Sequence, residues 1–84
     1  MPLEVGQHVY YARILPHVHS YDVYELIIRA VYDGYFVGLE KHDKRAYLFY
    51  FTDIGTCVFL NREECLNLVL QKESEDKDAG KDLE

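Results

Sequence analysis

From Gly6 to Leu60 apolar and polar positions trade places in short runs, cut at intervals by turn residues, as strands do. The segment "GQHVYYARIL", residues 6–15, is dense in β-favouring side chains and stops at Pro16, which has no ladder donor. "PHVHSYD" reads as a loop. "VYELIIRAVY", residues 23–32, reads as a longer strand with Tyr24, Leu26, Ile28 and Ala30 on one face and Glu25, Ile27 and Arg29 on the other. Asp33-Gly34 is a tight-turn pair that leads straight into "YFVGLE", so the two strands form a hairpin. The polar turn "KHDKR" returns the chain as "AYLFYF", residues 46–51. "TDIGT" turns it again, with Gly55 free to take a positive φ, and "CVFL" is a short last strand.

At Asn61 the period lengthens. Asn61 is a favoured N-cap and Glu64 stands where a capping box needs it, while Leu60 and Cys65 occupy the positions of a hydrophobic staple. A helix over residues 61–72 follows, with Cys65, Leu68 and Val69 on its apolar face and Leu66 and Leu70 widening it. Beyond Lys72 apolar residues nearly vanish, so residues 73–84 read as a disordered acidic tail, and the terminal Leu83-Glu84 could be an appended dipeptide. The expected architecture is one α+β domain, mostly β: a small SH3-like, partly open antiparallel barrel or curled sheet over residues 1–72, closed by a C-terminal helix. A flatter antiparallel sheet with the helix across one face is the alternative.

Composition sharpens this picture. Eight Tyr and four Phe with no Trp among 84 residues lean towards pleated, half-buried surfaces. The net charge of −6 is concentrated in the tail, which holds six acidic and two basic residues; the body is nearly neutral. No basic stripe suited to a duplex is present: Lys41, Lys44 and Arg45 alternate with Glu40 and Asp43. No apolar run is long enough to span a membrane, and "MPLEVGQ" lacks the marks of a secretory signal, so the expected location is the cytoplasm, with Cys57 and Cys65 as free thiols.

Three stretches, "VGQHVYY", "YDVYELIIRAV" and "GTCVFLNREE" ahead of the last helix, resemble small uncharacterised Firmicute and prophage-type proteins. The likeness covers most of residues 5–72, although Cys65 stands where a small apolar residue such as alanine is expected. It implies the fold and an origin in bacteria or their mobile elements. The matching features are a turn glycine, a strand and a capping box, so it carries no catalytic residue with it.

Little of the chemistry-bearing content forms a pattern. His17 and His19 could offer two ligands to a metal, but Cys57 and Cys65 lack metal-site spacing, and the helix face of Cys65 is the one that packs. These histidines read as turn residues, and neither a metal nor another cofactor is expected. No signature of a thiol nucleophile surrounds either cysteine. The carboxylate pairs Asp22/Glu25 and Glu63/Glu64 suit a strand start and a helix N-terminus. An enzyme is not expected. "AYLFYF" is different, because it is apolar on both faces: Tyr47, Phe49 and Phe51 on one, Leu48 and Tyr50 on the other. Ile27 adds an apolar group to a face that otherwise reads as solvent. Either the helix and a curled sheet cover both faces, or Tyr47, Phe49, Phe51 and Ile27 form a contact surface for a protein partner or self-association.

Overall fold

The computed structural model describes residues 3–82. Strands β1 (His8–Leu15), β2 (Ser20–Val31), β3 (Tyr35–Glu40), β4 (Ala46–Tyr50) and β5 (Val58–Phe59) precede one helix, α1 (Arg62–Asp82). They form a single antiparallel sheet in the order β4-β3-β2-β1-β5, curled into a half-barrel of the small SH3-like kind. The expected fold class is therefore the observed one.

The alternation of side chains sorts the core into two layers. Inside the curl, Val9, Leu26, Ile28, Phe36, Phe49 and Val58 are buried with Leu3 beneath the open end. On the outer face, Ala12, Phe59, Cys65 and Val69 pack α1 against β1, β2 and β5, with Tyr10, Ile14, Tyr21 and Val23 around them. β1 and the first half of β2 are thus covered on both sides, which explains why they are apolar on both. Gly38 is buried and pairs with Ile28, and a Cβ there would lie 3.1 Å from the Leu26 Cβ, so the close approach of β2 and β3 depends on it.

Three local expectations change. "PHVHS" is a 3-10 turn, Pro16–Val18, closed by His19 at φ 55°, and β2 begins directly after it at Ser20. A register shift between Ile28 and Ala30 makes Arg29 a bulge, so Ala30 leaves the inner face and Val31 takes its place. The staple also has a different partner. Leu60 stays 41 % exposed, and Cys65 packs on Phe59 instead.

The largest difference is at the C-terminus, where the residues read as a disordered tail continue α1 to Asp82. Asn61 Oδ1 caps the helix by accepting the Glu63 N–H at 2.8 Å. Once nucleated, a helix adds residues at little cost, and Glu73, Glu75, Lys77, Ala79 and Lys81 are good formers among the poorer Ser, Asp and Gly of the stretch after Lys72. It is also tethered: His19 Nδ1 donates to Asp76 Oδ2 at 2.6 Å, and the Tyr21 hydroxyl adds a second bond. The reading of Leu83-Glu84 as an appended dipeptide lies outside the described residues. No helix is long and apolar enough to cross a membrane among the described residues.

Candidate functional site

The four residues expected to share a contact surface are divided between the two faces of the sheet. Phe49 is only 7 % exposed, on the inner face, with its ring 5.8 Å from Phe36 and 5.1 Å from Tyr11. Tyr47 is half-buried beside it, in contact with Tyr11 and Tyr24 (centroids 5.6 and 6.3 Å). Phe51 has left the strand for a 3-10 turn, Phe51–Asp53, and stacks on Phe36 at 6.1 Å. These three aromatics belong to the core and its margin, so the assignment of Tyr47, Phe49 and Phe51 to an outer contact surface is corrected. The larger aromatic area of the strand goes inward because burying it removes the most apolar surface from water. Ile27 alone lies on the outer face.

The outer surface of β4 is built by the side chains set aside. Leu48 is 54 % and Tyr50 59 % exposed. Pairing aligns Ile27 with Leu39, Val37 with Leu48, and Tyr35 with Tyr50, giving a continuous apolar strip across β2, β3 and β4. Tyr32 extends it by stacking on Tyr35 at 4.8 Å across the Asp33-Gly34 turn. Beside Ile27 and Leu39 the strip dips into an open cleft of about 260 Å³, edged by Val5, Arg29 and Lys44. Helix α1 lies on this same face of the sheet and packs mainly against β1, β2 and β5.

A polar seam separates the covered and uncovered parts. His8 Nδ1 donates to Glu25 Oε2, and Lys41 lies 3.8 Å from the other carboxylate oxygen. The His8 hydrogen bond, aided by Lys41, holds the Glu25 carboxyl below the usual range, so the seam carries a carboxylate at neutral pH.

The turn after β3 is organised by a buried acid. Glu40 accepts the N–H groups of His42 (2.7 Å) and Asp43 (2.6 Å), and Lys44 closes the turn at φ 63°. Lys41 faces Glu25 and Arg45 lies 3.6 Å from Asp43, which leaves Lys44 as the turn's basic residue with no ion pair among the described residues.

His17 lies exposed in the Pro16–Val18 turn, while His19 serves the Asp76 tether. Among the described residues no three His, Cys, Asp or Glu side chains converge as a metal site. Burial pushes the Cys65 thiol up to about 11, and burial with Asp53 nearby raises Cys57, so both stay protonated at neutral pH.

The overlooked residues, Leu48 and Tyr50 above all, could have been found by counting. Glu40 pairs with Arg45 across a loop of even length, which exchanges odd and even positions between β3 and β4. An outward Ile27 therefore implies outward Leu39, Ala46, Leu48 and Tyr50. Compared with known proteins, the chain matches no family model, no curated protein and no solved structure.

Proposed function

We propose that this chain is a non-catalytic protein-interaction module of the cytoplasm, bacterial or mobile-element in origin, that works through the uncovered outer face of β2, β3 and β4. One observation carries the reading: Leu48, Tyr50 and Tyr32 stand about half exposed on an apolar strip continuous with Val37, Leu39 and Ile27. Contiguous apolar surface of this kind marks contact sites on soluble domains, and tyrosine supplies contact area at low entropic cost. Solvated strands ordinarily alternate with polar residues on such a face. A photo-cross-linking phenylalanine analogue at position 35, in cells of the natural host, tests the reading. A discrete protein adduct that disappears with Val37→Glu supports it. The absence of any adduct, or one indifferent to that substitution, overturns it.

A further inference from the structure

From the free edge of β4 we infer that this chain also associates with a second copy of itself, by antiparallel pairing of the two β4 strands. The inference rests on the reading of the domain as an interaction module and adds a second contact, at the strand edge beside the proposed face.

Among the described residues β4 has one neighbour, β3, and its far side is open. The bonds from Glu40 N–H to Arg45 C=O (2.8 Å) and from Phe51 N–H to Gly34 C=O (3.1 Å) set the phase of the ladder. In that phase Tyr47 and Phe49 bond to β3, while Ala46, Leu48 and Tyr50 direct their backbone groups outward. Natural edges are usually blunted by lysine, proline or a bulge, and "AYLFY" has none of these. Among the described residues the Tyr50 N–H is the outward group taken up, by Asp53 Oδ2 at 2.9 Å.

A two-fold axis beside Tyr47 preserves that bond. It sets Ala46 against Leu48 of the second copy, so that each copy donates its two vacant N–H groups to the other's carbonyls. The same operation carries the basic end of β4 to the acidic end of its counterpart. Lys44, which has no ion pair among the described residues, lies in the turn just before β4 and is carried towards the end of the counterpart where Asp53 accepts the Tyr50 amide. The negative charge of each chain does not oppose this approach. It is concentrated on the far half of α1, which packs over β1, β2 and β5 at the other side of the sheet.

The mass of the full chain, followed by light scattering and sedimentation equilibrium over a wide concentration range, tests the proposal. The expected result is a rise from 9.9 kDa towards twice that value. Leu48→Pro removes an outward donor and leaves the β3 ladder intact. It should weaken association at least tenfold with an unchanged far-ultraviolet circular dichroism spectrum. If that variant unfolds, Lys44→Glu replaces it: association should fall severalfold and return when Asp53→Lys is added. A chain that remains monomeric at its highest soluble concentration, or a dimer indifferent to all these substitutions, overturns the proposal. Because position 35 lies on the face and not on the free edge, a position-35 adduct with a different protein would then still uphold the interaction-module reading.

Discussion

The outer face of the sheet is one surface with two fates. Over β1, β5 and the start of β2 it is sealed by α1, and Ala12, Phe59, Cys65 and Val69 are buried there. Over β3, β4 and the end of β2 similar side chains stand in solvent. The strands are equally apolar on both sides of the Glu25 seam, so hydrophobicity does not distinguish core from contact surface. What distinguishes them is the path of α1, which starts beside β5 and is held at Asp76 near the β1–β2 turn, away from β4.

That contrast can be broken at several points, with effects of decreasing size. Phe49→Ala should cost about 3–5 kcal/mol in chemical denaturation, as a large core deletion does; a loss near zero would return Phe49 to the contact surface. Cys65→Ser should cost about 1–3 kcal/mol by placing a hydroxyl in the sealed half without a designed partner. The Asp76 tether is a smaller contribution with a defined pH dependence. Its hydrogen bonds from His19 and Tyr21 depress the Asp76 carboxyl below its ordinary 3.8. A depressed carboxylate stabilises the fold above the unfolded pKa, and that stabilisation is lost as pH falls through the folded value. Amide exchange in the helix after Lys72 should therefore accelerate in acid below pH 3.8, and Asp76→Asn should reproduce much of that change at neutral pH. At the small end, Leu48→Lys on the open half should change stability by no more than about 0.5 kcal/mol. A larger loss would show that β4 is buried against something in the monomer.

Much of the fold was legible because its signals are local. Asp33-Gly34, the Pro16 stop and the Asn61 cap are each read from a few neighbouring residues, and each marks a real boundary. The extent of α1 was not legible from apolar content, since its far half is polar and is held by His19 and Tyr21, distant in sequence. The site was less legible still. Ile27 lies on the outer face, but a strand that is apolar on both faces does not declare its orientation. Only the parity of the turn around Glu40 turns Tyr47 and Phe49 to the inner face.

The described residues span 48 × 25 × 19 Å, and α1, at 21 residues, is the longest element. Such an elongated body tumbles anisotropically, and its hydrodynamic radius exceeds that of a sphere of equal mass. On a gel-filtration column the monomer will elute early and imitate a larger species. Nitrogen relaxation should reveal the same elongation directly: amide vectors parallel to the long axis reorient only by slow end-over-end tumbling, while those across it are also averaged by the faster spin about that axis.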